Sequence, residues 1–168
     1  MKAVFLDRDG TINIDTGYIH KPETFCFTER APEAIKQLNN AGYKVIVITN
    51  QSGIGRGLYL KQDVIAFHEH IDKELAKSDA RIDAYFFCPH KPEDNCNCRK
   101  PKPELVFQAT KKFGISLSKS WFVGDKDSDV ECAINAGVQP VLINSNHENA
   151  NCIKFESLYV CINYILSR

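Results

Sequence analysis

The stretch VFLDRDGTI, residues 4 to 12, joins a run of apolar side chains to two aspartates that stand two positions apart, Asp7 and Asp9. An unbroken apolar run of this kind is typical of a strand that is buried on both faces of a parallel sheet. Two carboxylates at the end of such a strand repel each other unless a cation neutralises the pair. A hard divalent ion with oxygen ligands, such as Mg²⁺, would remove that conflict, so we expect a magnesium site here.

Strand and helix patterns alternate along the whole chain. Near-continuous apolar runs predict five strands, at residues 2–7, 43–50, 82–87, 120–125 and 139–144. Helical periodicity with the expected end signals predicts helices at residues 32–42, 60–78, 103–114, 127–137 and 156–168. Because parallel strands need crossover connections, this order predicts an α/β fold: a Rossmann-like, doubly wound, mainly parallel sheet with helices on both faces.

Bulk composition excludes several classes of protein. The chain has 168 residues of even composition, for which we expect one domain over residues 1–168. Lys plus Arg equals Asp plus Glu, at 21 each, so the chain lacks the basic excess of a nucleic-acid-binding protein. No apolar run approaches the roughly 18 residues of a membrane span, and the N-terminus lacks the pattern of a signal peptide. We expect a cytoplasmic monomer that binds neither nucleic acid nor membrane.

Polar residues follow three of the predicted strands at the point where each strand ends. Asp7, Thr49 with Asn50, and Asp125 hold these positions, and ligands of open α/β sheets bind beyond the carboxyl ends of the strands. With Mg²⁺ present, the chemistry to expect is phosphoryl transfer. One aspartate can attack phosphorus while a second transfers protons, roles that suit Asp7 and Asp9. A hydroxyl and an ammonium, those of Thr49 and Lys100, could bind the phosphoryl group.

The cysteines of the segment CPHKPEDNCNC form a second candidate metal site. Its donors are Cys88, His90, Cys96 and Cys98, and three thiolates with one imidazole satisfy tetrahedral Zn²⁺ without an open position. The segment is rich in turn residues and has no apolar core of its own, so we predict a zinc-binding loop. Arg99 and Lys100 follow directly, and we expect the zinc to direct them towards the phosphate site.

Four segments resemble, in order and context, the motifs of the haloacid dehalogenase-like phosphatases: DRDGT at 7–11, ITNQSG at 48–53, RKPKP at 99–103 and VGDKDSD at 123–129. The resemblance implies Asp7 as nucleophile and Asp9 as general acid and base. It implies Mg²⁺ bound by the Asp7 carboxylate, the Asp9 main-chain carbonyl and Asp125. The predicted substrate-binding residues are Asp15, Tyr18, Thr49, Asn50, Gln51, Ser52, Arg56, Arg99, Lys100 and Lys126.

The resemblance also narrows the substrate. The segments TNQSGIGRG and CNCRKPKP are similar to those of sugar-bisphosphate phosphatases of this family, which implies a small phosphorylated sugar. Histidinol-phosphate phosphatases are a close alternative, and a non-catalytic phosphate-binding module is a more distant one. The short spacing between motifs implies that no large cap domain is present.

Several residues receive no functional role from the sequence. Arg8 is expected to point away from the two aspartates, because neighbours on an extended chain face opposite sides. His68 and His70 are expected at the surface or the edge of the core. We interpret residues 51–59 as a flexible rim of the site, and residues 147–152 as a surface loop.

Overall fold

A computed structural model describes residues 1–144 and 152–168 of the chain. Six parallel strands form one sheet in the order β3-β2-β1-β4-β5-β6. The strands are β1 (Ala3–Leu6), β2 (Lys44–Asn50), β3 (Ala84–Cys88), β4 (Trp121–Gly124), β5 (Gln139–Ile143) and β6 (Ile153–Phe155). The helices are α1 (Ala31–Asn40), α2 (Ser52–Gly55), α3 (Lys61–Ala76), α4 (Glu104–Phe113), α5 (Asp127–Ala136) and α6 (Leu158–Leu166).

Strand β1 lies at the centre of the sheet, with β2 on one side and β4 on the other. All four of its residues are buried, which explains their unbroken apolar character. The chain adds strands in one direction from β1 to β3 and in the opposite direction from β4 to β6. The order therefore reverses between β1 and β4, and a doubly wound sheet opens a crevice at such a point, beyond the carboxyl ends of the strands.

Side chains of the sheet alternate between two hydrophobic clusters. Val4 and Leu6 belong to the cluster that includes buried residues of α1, α3 and α6, whereas Ala3 and Phe5 belong to the cluster that includes those of α4 and α5. Helices therefore cover both faces, and the predicted fold class is confirmed. Within the described residues, no cap domain extends from this sheet.

The predicted elements are present with ends shifted by a few residues, and among the strands and α-helices β6 and α2 were missed. Strand β6 has only three residues and is only partly buried, so its hydrophobic pattern is too short to predict a strand. Helix α2 is a single turn of sequence SGIG, inside the segment predicted to be a flexible rim. The loop expected at 147–152 lies outside the described residues except for Cys152. In the described part of the chain, no helix is both long and apolar enough to cross a membrane.

Candidate active site

A cavity of about 310 Å³ opens where β1 and β2 end. Its lining is mostly polar, as the sequence predicted for the carboxyl edge of the sheet. Fifteen residues line the cavity: Asp7, Asp9, Asp15, Gly17, Tyr18, Thr49, Asn50, Gln51, Ser52, Tyr59, Arg99, Lys100, Lys126, Ser128 and Asp129. Of the predicted phosphate-site residues, Asp125 and Arg56 are absent from this lining.

The ammonium of Lys100 is buried between two carboxylates on the floor of the cavity. Its Nζ lies 2.8 Å from Asp7 Oδ1 and 2.6 Å from Asp129 Oδ1, and it donates a hydrogen bond of 2.9 Å to the Ile48 carbonyl. The ammonium thus donates hydrogen bonds to Asp7 and Ile48 and forms an ion pair with Asp129. Asp7 Oδ1 also accepts from the Arg8 backbone N–H at 2.8 Å, so one oxygen of this carboxylate is anchored twice.

The buried charges of this floor do not balance. Asp7, Asp125 and Asp129 place carboxylate oxygens within 4.8 Å of one another, and Lys100 supplies one positive charge against three negative ones. Burial and the charge of Asp129 raise the pKa of Asp7, even with Lys100 beside it. Burial by itself would lower the pKa of Lys100, but the carboxylates of Asp129 and Asp7 raise it. A divalent cation would neutralise the carboxylates that Lys100 and the nearby Lys126 leave unbalanced.

The donors also suit a hard divalent cation in chemistry and position. Asp125 Oδ1 is buried without a hydrogen-bond partner among the described residues, and burial raises the pKa of this carboxyl group. Gly10, with a φ of +85°, brings the backbone so close to Asp125 that a Cβ at this position would overlap Asp125 Oδ2. Glycine is required at position 10, because only glycine combines this φ with this close approach.

The Asp9 side chain is held by four hydrogen bonds. Its Oδ1 accepts from Arg8 Nε at 3.0 Å and Asn13 Nδ2 at 3.0 Å, while Oδ2 accepts from Arg8 Nη2 and Gln51 Nε2, both at 3.1 Å. Burial by itself would raise the pKa of Asp9, but the charge and hydrogen bonds of Arg8 lower it. In the free protein this carboxylate is therefore ionised and fixed in orientation.

The position predicted for Arg8 was wrong. The sequence placed Arg8 away from both aspartates, whereas its side chain is completely buried and its guanidinium forms a two-pronged ion pair with Asp9. The chain turns directly after β1, so the alternation of an extended strand no longer applies. His68 was also predicted at the surface or core edge, but it is buried and its Nε2 lies 3.2 Å from Arg8 Nη1.

Burial of His68 makes stability depend on pH. Burial, followed by the charge of Arg8 and partly offset by Asp9, lowers the pKa of His68 to about 3. Between this value and the ordinary histidine pKa of about 6.5, the unfolded chain binds a proton that the folded protein does not. The free energy of unfolding should therefore fall as the pH falls below about 6.5.

We expect His68→Gln to lose this dependence. From about pH 7 to about pH 5, the wild type should lose about 2 kcal/mol more unfolding free energy than the variant, measured by urea denaturation. All other titrating groups are common to the two proteins, so the difference isolates residue 68. Parallel losses in both proteins would show that His68 is protonated in the folded state.

Gln51 connects the candidate acid and the candidate phosphate-binding residue. Its Nε2 donates to Asp9 Oδ2 at 3.1 Å and to Thr49 Oγ1 at 2.9 Å, and its Oε1 accepts from the Tyr59 hydroxyl at 2.7 Å. Burial raises the pKa of Tyr59 to about 12, so this hydroxyl remains a donor. Gln51, predicted to bind substrate, is engaged with protein groups through its entire amide.

The rim of the cavity carries the remaining predicted residues. Lys126 Nζ lies 3.4 Å from Asp15 Oδ2, and Tyr18, at a φ of +48°, is half exposed. Asn50 exchanges hydrogen bonds of 3.0 and 3.3 Å with the backbone of Lys100. This reciprocal pair ties the end of β2 to the segment that carries Lys100.

Arg56 does not join the other predicted residues. It follows α2, and its Nη2 lies 4.0 Å from Glu93 Oε1 rather than in the cavity lining. The segment predicted to be a flexible rim forms the single turn of α2 here, and Arg56 is its C-terminal capping residue. The substrate-binding role of Arg56 stays a prediction.

The predicted zinc ligands form one compact cluster. Cys88 Sγ lies 3.5 Å from Cys96 Sγ and 3.2 Å from Cys98 Sγ, while His90 Nδ1 lies 3.6 Å from Cys88 Sγ and 3.3 Å from Cys98 Sγ. Four ligands bound about 2.3 Å from one ion at tetrahedral angles lie roughly 3.7 Å apart. The cluster therefore has the donors and nearly the spacing of a tetrahedral metal site.

Four residues of the cavity lining were not assigned a role from the sequence: Gly17, Tyr59, Ser128 and Asp129. Ser128 and Asp129 belong to the motif at 123–129 and lie in the first turn of α5, so their position after a strand was a usable signal. Gly17 and Tyr59 carried no such signal, because they lie in connecting segments whose place depends on the fold. Long-range packing of this kind leaves no mark in a local pattern.

Comparisons with known proteins agree with this geometry. The HAD-hydrolase-like family model matches residues 97–161. The chain is 46% identical over 143 residues to a D-glycero-beta-D-manno-heptose-1,7-bisphosphate 7-phosphatase of Helicobacter pylori strain J99, covering 84% of this chain and 82% of the relative. Its identity to the Haemophilus influenzae protein of the same name is 40% over 144 residues, covering 82% and 78%.

A solved structure of a heptose bisphosphate phosphatase is also similar to this chain. The D,D-heptose 1,7-bisphosphate phosphatase of B. bronchiseptica, complexed with magnesium and phosphate, superposes with a TM-score of 0.92 at 31% identity and covers 99% of both chains. The similarity thus extends over the sheet and the whole cavity edge. The chain belongs to the haloacid dehalogenase-like phosphatases, in the same family as these two relatives and this structural neighbour.

Proposed function

We propose that this chain is a magnesium-dependent phosphatase that removes the 7-phosphate of D-glycero-D-manno-heptose 1,7-bisphosphate through an aspartyl-phosphate. The observation that carries the proposal is the Lys100 ammonium fixed between Asp7 and Asp129 at the floor of the cavity. This is the arrangement that a phosphoryl group needs: a carboxylate to attack it and a cation to stabilise the charge that develops. The names of the relatives support the sugar bisphosphate as substrate.

Asp7 is the proposed nucleophile. Both hydrogen bonds that the described residues give to its carboxylate end on Oδ1, which leaves Oδ2 without a donor. An oxygen of this carboxylate attacks the phosphorus of the 7-phosphate, and the bond from phosphorus to the sugar oxygen breaks. Lys100 stabilises the negative charge on the transferring group. The anchored oxygen keeps the carboxylate in line for attack.

Asp9 is the proposed proton donor and acceptor. The substrate phosphate brings negative charge beside Asp9, which favours protonation of its carboxyl group despite the low pKa in the free protein. Asp9 then gives its proton to the leaving sugar oxygen. In the second half-reaction Asp9 takes a proton from the water that attacks the aspartyl-phosphate, and inorganic phosphate is released.

Asp7, Asp125 and the Asp9 carbonyl are the proposed ligands of Mg²⁺. Support comes from the excess negative charge of the cavity floor and from Asp125 Oδ1, which is buried without a partner among the described residues. When bound, Mg²⁺ acts as a Lewis acid on the phosphoryl group and neutralises these carboxylates. Asp129 is engaged with Lys100, so we assign it to the placement of that ammonium.

The rim residues support a substrate with a second anionic group. Arg99 and Lys126 bring positive charge to the edge of the cavity, and Asp15 is occupied by Lys126. Arg56, a predicted substrate-binding residue, lies outside the cavity lining and does not contribute to this argument. Histidinol phosphate is the second candidate, because a substrate with one phosphate and one cation could use Asp15 as a partner.

Phosphate release with Mg²⁺ from both anomers of heptose 1,7-bisphosphate and from histidinol phosphate tests the proposal. We expect the highest kcat/KM for one bisphosphate anomer, with release of a single phosphate per sugar. A higher kcat/KM for histidinol phosphate would support the same mechanism with histidinol phosphate as the substrate. Absence of release from every compound would overturn the function.

Zinc is the proposed occupant of the cluster of Cys88, His90, Cys96 and Cys98, and its role is to hold the chain that carries Arg99 and Lys100. Arg99 follows the last ligand directly, and its Nη1 donates to the His90 carbonyl at 3.4 Å. A zinc site built on reduced cysteines is typical of a reducing compartment, which supports the cytoplasm as the location. We retain the expectation of a monomer.

Cys96→Ser is expected to remove zinc and to lower kcat by about 10-fold or more, because the loop no longer fixes the phosphate-binding residues. Zinc content by atomic absorption and phosphate release measure the two effects. Cys26→Ser is the matched control, since Cys26 is exposed and outside the cluster, and we expect it to keep both zinc and activity. A folded, zinc-free Cys96→Ser protein with full activity would refute this role.

A further inference from the structure

The guanidinium of Arg8 determines how the Asp9 carboxylate is oriented. Arg8 Nε and Nη2 donate to the two oxygens of Asp9 at 3.0 and 3.1 Å, and Nη2 also donates to the Ile19 carbonyl at 2.9 Å. A two-pronged pair of this kind fixes the plane of the carboxylate as well as its distance. Because Arg8 is completely buried, water cannot replace a lost partner of the guanidinium.

His68 occupies the opposite corner of the same guanidinium. Its Nε2 lies 3.2 Å from Arg8 Nη1, and arginine can only donate, so Nε2 is the acceptor and the imidazole is neutral, with its proton on Nδ1. The Arg8 cation also lies 4.7 Å from the centre of the Phe67 ring. Helix α3 thus holds Arg8 from the side that faces away from Asp9.

His68 is itself held in place. Its ring stacks on Tyr85 with centroids 4.1 Å apart and planes at 11°, and the edge of Phe87 lies beside it at 5.9 Å. Tyr85 in turn donates a hydrogen bond of 2.7 Å to Asp72 of α3. The imidazole therefore has little freedom to move, and it transmits the position of α3 and β3 to the guanidinium.

We propose that His68 is a positioning residue: by accepting from Arg8 Nη1, it fixes the guanidinium edge that aims the Asp9 carboxyl at the leaving oxygen. The inference rests on the proposed role of Asp9 in proton transfer. A small rotation of the guanidinium would move both oxygens of Asp9, and proton transfer is sensitive to such displacements. Neither His68 nor Arg8 needs to touch the substrate for this effect.

Two substrates that differ in their leaving groups separate positioning from a general loss of structure. A sugar alkoxide needs the proton of Asp9 to leave, whereas p-nitrophenolate is stable enough to leave without it. Because kcat/KM reports only the steps up to the first irreversible one, the later attack of water does not enter the comparison. The pair therefore isolates the first proton transfer.

His68→Phe keeps the ring that stacks on Tyr85 and removes the acceptor, while His68→Gln keeps an acceptor at the position of Nε2. We expect His68→Phe to lower kcat/KM for heptose 1,7-bisphosphate about 10-fold or more and to leave that for p-nitrophenyl phosphate within about twofold. His68→Gln should restore most of the loss. Arg8→Lys keeps the charge without the two-pronged geometry, so it should also lower kcat/KM for heptose 1,7-bisphosphate and not that for p-nitrophenyl phosphate. This variant replaces His68→Phe in the test if the His68→Phe protein does not fold.

Equal losses for both substrates, or no loss for either, would overturn the inference. If the wild type hydrolyses p-nitrophenyl phosphate but not the heptose bisphosphate, the proposed substrate fails. Histidinol phosphate, also an alkyl ester, then takes its place in the same comparison. A wild type without activity on any of the three would overturn the inference together with the proposed function.

Discussion

Asp7→Asn is expected to lower kcat by at least about 10⁴-fold, because the amide cannot attack phosphorus to form the aspartyl-phosphate. The Asp9 carboxylate keeps its four hydrogen bonds and Lys100 keeps Asp129, so the rest of the site is preserved. The variant should also fold, since the substitution removes one of the buried charges that repel each other. Phosphate release and thermal unfolding measure the two properties.

Asp79→Asn is the control for this substitution. Asp79 is highly exposed and pairs with Lys36 at the surface, and its left-handed φ of +54° is one that asparagine accepts. We expect its kcat to stay within about twofold of the wild type. Retention of more than about a hundredth of wild-type kcat by Asp7→Asn would rule out Asp7 as the nucleophile.

Lys100→Met should damage stability and catalysis together. The substitution leaves Asp7 and Asp129 buried without their cation, and removing one partner of a buried ion pair costs about 3–5 kcal/mol. Without Mg²⁺, urea denaturation should show this loss in full. With Mg²⁺, the turnover of the folded protein should still be lower by about 10²- to 10³-fold, since the charge on the phosphoryl group is no longer stabilised.

A second substitution separates the two effects of Lys100→Met. Adding Asp129→Asn removes one of the unpaired carboxylates, so it should return part of the unfolding free energy without returning activity. Lys111→Met, on the exposed face of α4, controls for the loss of a lysine and should change neither. Recovery of turnover in the double variant would show that Lys100 acts on Asp129 rather than on the substrate.

Residues near the ends of the strands were predictable because their position follows from local sequence. The apolar run before Asp7 indicates a central strand, and parallel strands present their carboxyl ends at one edge. Asp7, Thr49 and Lys100 therefore reach the same cavity although they lie up to 93 positions apart. The cluster of Cys88, His90, Cys96 and Cys98 was predictable for a similar reason, since donor types and spacing are visible within eleven residues.

The contacts that orient those residues were not predictable. Arg8 reaches His68 across 60 positions, and the contact depends on the turn after β1 and on the face that α3 presents. A buried histidine within a helix has the same sequence signal as an exposed one. The position of Arg56 outside the cavity lining was not predictable either, since its motif was visible but the single turn of α2 was not. Side-chain orientation in loops depends on packing that no local pattern records.

The central position of β1 has a consequence for how long the site keeps its shape. Both edges of this strand are hydrogen-bonded to neighbours and all four residues are buried, so we expect its amide hydrogens to exchange with solvent only when the whole molecule unfolds. Strand β6, with three residues at the edge of the sheet, should open far more often. Asp7, the proposed nucleophile, would then follow the slowest-exchanging strand of the sheet, and local fraying elsewhere would leave it in place.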